Sequence, residues 1–282
     1  MSTTTPQITI GMRMRWTLAD GLVIMRRNLL KFVRIPALFV FSIVQPIMFV
    51  LLFVFVFNGL GGLLPPDVSY VNFLIPGIFV QTAIFGSTQT GIGLSEDLNS
   101  GIIDRFRSLP MARSGVLVGR TLSDFVRNLV VVLLMTGVGY LVGFSFQAGL
   151  LSAIMAILLA VFVGYAFSWV SALIGLAIKD SESVQAASFT WIFPLTFISS
   201  ALVPLQSMTP WLQTIARNNP VTVWSNTVRL LTIGTVSYPN GIPFMPPAGE
   251  SLAGLLVKSF LWVGLILVVF VPLAVRQYRK LT

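Results

Sequence analysis

Charged residues in this chain fall into short clusters, and the runs between them are apolar. Ile35 to Pro66, Val68 to Ser95, Asn128 to Ile178 and Ser183 to Ala216 carry no charge, and Ser251 to Val275 carries only Lys258. A helix crossing ~30 Å of hydrocarbon takes about 20 apolar residues. The runs therefore predict membrane spans at Ile35–Phe57, Val71–Leu94, Leu129–Phe144, Leu150–Ile178, Val184–Val203 and Ser251–Val275. Asn58 to Asp67 has the Gly and Pro of a turn, and Gly143 to Gly149 splits a run too long for one helix.

Two polar stretches are patterned as well. Met14, Leu18, Leu22, Met25, Leu29 and Phe32 recur at helical spacing, with Arg13, Asp20, Arg27, Asn28, Lys31 and Arg34 on the other faces. This predicts an amphipathic helix over residues 12–34 at the membrane interface. It acts either as a plain anchor or as a contact for a partner. The stretch 204–250 is too polar for a seventh span. Thr209 and Pro210 open one short helix as cap and first residue, and Val221 to Ile233 forms a second. Both are apolar enough to lie back on the bundle, and residues 234–249 form a loop.

Composition agrees with a membrane protein: 55% of the 282 residues are hydrophobic and 10% are charged, against about 25% charged in a soluble domain. Net charge is +9. In such a protein that excess is a topology signal before it suggests nucleic acid, and no nucleic-acid partner is expected. With both termini inside, 15 of the 18 basic residues lie on the inner side and only Arg217 and Arg229 lie outside. The positive-inside rule then places both termini in the cytoplasm. The chain has no Cys and no His, so no catalytic residue and no metal site of those types is expected. No Lys follows a Gly, which excludes a phosphate-binding P-loop. If ATP drives this protein, another chain binds it.

Within the spans, Gly164, Ser168, Ala172 and Gly175 form a stripe of small residues suited to close helix packing. Gln81, Phe85, Thr88 and Gln89 share one side of span 2. They make hydrogen bonds between helices or line a substrate path. Pro46, Pro76 and Pro194 each remove a backbone donor and bend their helices. No predicted span contains Asp or Glu, which counts against an ion-coupled carrier. Lys258 snorkels outward or pairs with a carboxylate, with a role toward substrate as the alternative.

One charged segment remains. Glu96-Asp-Leu-Asn-Ser-Gly-Ile-Ile-Asp-Arg-Phe-Arg-Ser-Leu-Pro110 holds three of the nine carboxylates between two apolar spans. By itself it reads as a solvated turn or as a docking surface. Together with the six-span layout and the basic N-terminal helix, it resembles the type-2 ABC exporter permeases, in particular the daunorubicin-resistance permeases of actinobacteria. In that family this loop is the coupling helix that sits in a groove of the ATPase subunit. Many relatives carry Glu before the Ser-Gly pair where this chain has Asn99; Asp104 is kept. Trp211, Asn219, Pro220 and Arg229 resemble parts of the family's external re-entrant hairpin.

The resemblance implies an all-α integral membrane protein of one domain, residues 1–282. It would have six transmembrane helices, an N-terminal amphipathic interfacial helix and a re-entrant helical hairpin between spans 5 and 6. The implied coupling residues, over 95–111, are Glu96, Asp97, Asn99, Ser100, Gly101, Asp104, Arg105, Arg107 and Pro110. The implied partners are two ABC ATPase subunits, which hold ATP and Mg, a second permease chain in a homodimer or heterodimer, and the bilayer of the cell membrane. Drug, polyketide or lipid export is expected, because the spans offer many Phe residues and no fixed acidic pocket. Export of polysaccharide or glycolipid, or an ion-coupled carrier, are the alternatives.

Overall fold

The structure is a computed structural model describing residues 10–102, 113–241, 243–247 and 249–281. Its helices are α1 (Ile10–Arg34), α2 (Pro36–Val56), α3 (Tyr70–Gly86), α4 (Thr88–Asn99), α5 (Arg113–Leu141), α6 (Leu150–Ala177), α7 (Ser181–Phe197), α8 (Pro210–Asn218), α9 (Pro220–Ile233) and α10 (Leu252–Leu281). A small antiparallel ribbon, β1 (Val236–Ser237) with β2 (Pro243–Met245), is the departure from an all-helical chain among the described residues. Four stretches are long and apolar enough to cross a membrane: Tyr70–Asn99, Gly115–Leu141, Leu150–Ala177 and Leu252–Leu281. α2 and α7 stand where spans 1 and 5 were expected, and both are shorter.

α6 is the centre of the bundle, packed against α3, α4, α5, α9 and α10. Its small-residue stripe is buried throughout. A Cβ on Gly164 would overlap the Ala83 carbonyl and the Asn128 side chain, and one on Gly175 would overlap the backbone of Gly91. Backbones meet at these points because nothing larger than hydrogen separates them, which is how helices associate where no hydrophobic force drives them together. Polar side chains tie the ends. Tyr70 OH donates to Leu202 O at 3.0 Å, Trp224 Nε1 donates to Ser259 O at 3.2 Å, and Asn72 Oδ1 accepts from Ser145 N at 3.0 Å.

Several predicted boundaries are corrected, each for a local reason. Span 2 is not one unbroken helix. It turns at Ser87, whose Oγ donates to Ile84 O at 2.6 Å while Thr88 Oγ1 donates to Phe85 O at 2.8 Å. Such local side-chain bonds compete with the helical ladder. α4 then continues past the predicted end at Leu94, to Asn99. α5 begins at Arg113, well before the predicted Leu129, because Arg120, Asp124 and Arg127 pair with one another and so remain in the helix. A carboxylate therefore does sit inside a stretch able to span, against the expectation of none. α7 ends at Phe197, earlier than Val203.

α1 is helical over the expected stretch, and one of its faces packs on protein. Gly21, Ile24 and Asn28 face α5, where Gly21 meets Gly119 and Ile24 is 2% exposed. Leu22, expected on the apolar face, is exposed. The side chains of Met14 and Leu18 lie outside those described. The chain breaks at Ile35 because Pro36 disfavours a helical residue before it and starts α2 at its own first position.

Candidate functional site

A cavity of about 540 Å³ lies between α1, α2, α3, α4, α5 and α7. Gln81, Phe85, Thr88 and Gln89, which the helical spacing of span 2 placed on one side, all line it. Phe32, Phe49, Ile78, Val131 and Phe189 supply apolar wall, and Gln45, Gln81 and Thr82 supply neutral polar groups. Phe85 belongs to an aromatic cluster, with ring centroids 5.9 Å from Phe189 and 5.3 Å from Phe193. Gln81 is buried, and its Nε2 has no hydrogen-bond partner among the described residues.

The cavity is also lined by charges. Lys31, Glu96, Arg120, Asp124 and Arg127 line it. Asp124 is 3% exposed. Its Oδ1 lies 2.9 Å from Arg127 Nη1, and its Oδ2 accepts from Thr90 Oγ1 and lies 3.9 Å from Arg120 Nε. Arg127 also donates to Gly86 O, and Arg120 Nη2 donates to Gln89 O at 2.8 Å. These carbonyls are within reach because α3 gives way to α4 at Ser87 and α4 is close to α5. Gly93 matters here: a Cβ on it would overlap the Arg120 guanidinium. Sequence reasoning missed this cluster because it searched for charge-free windows. The available signal was the spacing Arg120, Asp124, Arg127, which puts three charges on one helical face.

α1 is fastened to α4 at the edge of the cavity. Arg27 Nη2 reaches Asp97 Oδ2 at 2.8 Å, and Lys31 Nζ reaches Glu96 Oε2 at 3.1 Å. Asn28 Nδ2 donates to Ser123 Oγ at 3.3 Å, joining α1 to α5. Glu96 and Asp97, expected to face a partner, are engaged within the chain, and Asp97 is buried. At the end of α4, Asn99 Nδ2 donates to Lys179 O at 2.7 Å and Ser100 Oγ to Glu96 O at 2.8 Å. Gly101 follows at φ +68°. Asp104, Arg105, Arg107 and Pro110 lie outside the described residues.

Comparison with known proteins decides what kind of molecule carries this cavity. The sequence profile of the family described as "ABC-2 type transporter" matches residues 21–232. The chain belongs to that family. The Streptomyces coeruleorubidus daunorubicin resistance ABC transporter permease protein DrrB1 is 29% identical over 255 residues, covering 90% of this chain and 84% of the relative. A probable doxorubicin resistance ABC transporter permease protein, DrrC, of Mycobacterium tuberculosis is 30% identical over 241 residues, covering 86% and 82%. A putative transport permease, ycf38, of Cyanophora paradoxa is 27% identical over 214 residues, covering 74% and 72%. The protein is thus a multi-pass membrane permease subunit of an ABC-2 exporter, and ATP hydrolysis in such transporters belongs to a separate partner subunit.

The remaining predicted residues of this ABC-2 permease lie away from the cavity. Asn219 is a joint. Its Nδ2 donates to Leu195 O at 2.7 Å and Ile198 O at 2.6 Å, and its Oδ1 accepts from Val221 N at 2.8 Å. It thereby ends α7 and caps α9, with Pro220 at the first position of α9. Trp211 on α8 is 67% exposed, whereas α9 is buried along nearly its whole length. Arg229, counted from sequence among the outside charges, is 0% exposed. Its guanidinium carbon sits 3.7 Å from the Phe73 ring centroid. It donates to Phe73 O at 2.7 Å, Ser200 Oγ at 3.2 Å, Asn226 Oδ1 at 3.0 Å and Ala201 O at 2.7 Å, and also to Ser200 O. Lys258, as one of its expected fates, pairs with Glu250.

Proposed function

We propose that this permease exports an amphipathic or hydrophobic molecule, of the drug, polyketide or lipid class, through the cavity lined by Gln81, Phe85, Thr88 and Gln89. The observation that carries this reading is the mixed lining: aromatic and aliphatic side chains together with paired charges in one cavity. A volume of about 540 Å³ falls in the usual range of small-molecule sites, roughly 300–1,000 Å³. Two relatives are named for resistance to daunorubicin and doxorubicin, which supports the same class of cargo. The working assembly in this reading pairs the permease with a second permease chain and two ATPase subunits. Six helices cross, with α2 and α7 as the shorter ones, in a single domain whose α8–α9 hairpin enters from outside.

The test is export by the reconstituted permease–ATPase complex. Replacing both Phe85 and Phe189 by Ala removes aromatic wall that a bound amphiphile would cover. The expected result is a fall in transport of about tenfold, at about 1.4 kcal/mol or more of lost apolar contact, with complex assembly retained. Unchanged transport would place the path elsewhere.

The orientation of the proposed assembly has its own test. Both termini and the segment after α4 face the cytoplasm, on the basic asymmetry of the chain. Single cysteines at Ser2, Ser108 and Gly241 are expected to react with an impermeant maleimide in intact cells only at Gly241. Labelling at Ser108 would reverse the topology.

A further inference from the structure

We infer that the cavity selects amphiphiles bearing an anionic group, a phosphate or carboxylate, which sits against Arg120 while the apolar body lies along Phe85 and Phe189. This rests on the amphiphile-export reading and adds a charge to the cargo.

Charge bookkeeping among the lining residues leads to it. Among the described residues, Glu96 is matched by Lys31 and Asp97 by Arg27. Asp124 alone serves both Arg127 and Arg120. The five charged residues lining the cavity are thus three cations and two carboxylates, an excess of +1. The excess falls on Arg120. Asp124 is in bonding contact with Arg127 at 2.9 Å but stands 3.9 Å from Arg120 Nε, which has no hydrogen-bond partner among the described residues. A buried guanidinium donor without an acceptor is costly, and a charged acceptor relieves that cost. Gln81 Nε2, also buried and unpartnered, lines the same cavity. Both atoms are themselves sealed from the cavity, but the Arg120 side chain is 13% exposed and lines it, so an anionic group there would meet the unmatched positive charge. Glycine at position 93 leaves room for the Arg120 guanidinium against α4, so the group is held in place rather than loose in solvent.

This charge preference is a property of this chain's residues, since identity near 30% to permeases named for drug resistance does not carry cargo with it. An anthracycline bears an amine, and it becomes the opposing probe.

The experiment measures equilibrium binding to the purified permease–ATPase complex in phosphatidylcholine nanodiscs. The probes share a chain length: dodecyl phosphate, dodecyltrimethylammonium and a neutral polyoxyethylene dodecyl ether. Doxorubicin and inorganic phosphate complete the set. Dodecyl phosphate is expected to bind about tenfold or more tighter than the neutral and cationic probes, the scale of a charge-assisted hydrogen bond. Arg120→Gln is expected to collapse that ratio of affinities, Arg120→Lys to retain most of it, and Asp124→Asn to raise it, because the local excess then becomes larger. Opposite signs for Arg120→Gln and Asp124→Asn exclude general damage as the cause, and either variant alone suffices if the other does not assemble. Equal affinity for the three dodecyl probes overturns the anion preference and leaves amphiphile export standing. Preferred binding of doxorubicin or dodecyltrimethylammonium overturns it likewise. Inorganic phosphate binding as tightly as dodecyl phosphate also overturns it, by showing a free-anion site. No binding of any amphiphile removes the amphiphile-export reading itself.

Discussion

Arg229→Leu is expected to eliminate folded permease from the membrane, with the largest stability loss of any single change considered. The guanidinium supplies donors to the carbonyls of Phe73, Ser200 and Ala201, and to Ser200 Oγ and Asn226 Oδ1. Those acceptors come from α3, from the turn after α7 and from α9. Leucine would leave the three carbonyls without a donor in a buried site. At about 1–3 kcal/mol for each unsatisfied group, the loss is on the order of 3–9 kcal/mol, less whatever is regained by no longer burying a charge. Folded proteins hold a margin of about 5–15 kcal/mol, so the variant falls near or below it. Arg229→Lys is expected to rescue little, because a single ammonium does not reproduce the planar fork that serves five acceptors. Membrane abundance and thermal unfolding followed by size-exclusion chromatography measure the outcome. A leucine variant that accumulates and melts like the parent would show that the carbonyls find other donors.

Arg229 also marks where sequence reading stopped. Counting charges against a hydrophobicity window treats every arginine as a solvated end, and it assigned this one to the outside. Nothing in Val221–Ile233 reveals that the acceptors lie far away in sequence, at Phe73 and Ser200. The same blindness moved the start of α5: three charges that pair with one another were read as a boundary. Span 5 was drawn too long for a related reason. Its last carbonyls, at Leu195 and Ile198, are satisfied by Asn219, and the turn after it by Arg229, so the helix has no need to continue. What periodicity did reach was the lining of the cavity. Gln81, Phe85, Thr88 and Gln89 share a face at helical spacing, and that face survives the turn at Ser87. The small residues of α6 were legible for the same reason, since packing within one helix is a local property. Partnership between distant helices, as in Arg27 with Asp97, is not.

Asp104→Arg and Arg105→Glu are expected to leave the permease inserted and abundant while abolishing export. We propose that these residues, with Arg107 and Pro110, dock on the ATPase subunit that the family requires. Reversing a charge at such a contact sets like charges together, at a cost of several kcal/mol, roughly, across an interface. The structure adds a reason why the push would reach the cavity. The segment leaves directly from α4, and α4 is pinned to α1 by Arg27–Asp97 and Lys31–Glu96, beside the wall that holds Arg120 and Asp124. Asp97→Arg should therefore uncouple as well, and the exchange of Arg27→Asp with Asp97→Arg should restore part of the export. Gly101→Ile should impair coupling through backbone strain. Its φ of +68° disfavours a side chain by about 1–2 kcal/mol. Pull-down of the ATPase subunit, run beside the export assay with membrane abundance as control, separates the steps. Loss of pull-down in the Asp104 and Arg105 variants, with pull-down kept but export lost in Asp97→Arg, would place docking in the segment and transmission in the α1–α4 contact. If all of these variants bind the ATPase and export normally, the segment is a solvated turn and the drive enters the permease elsewhere.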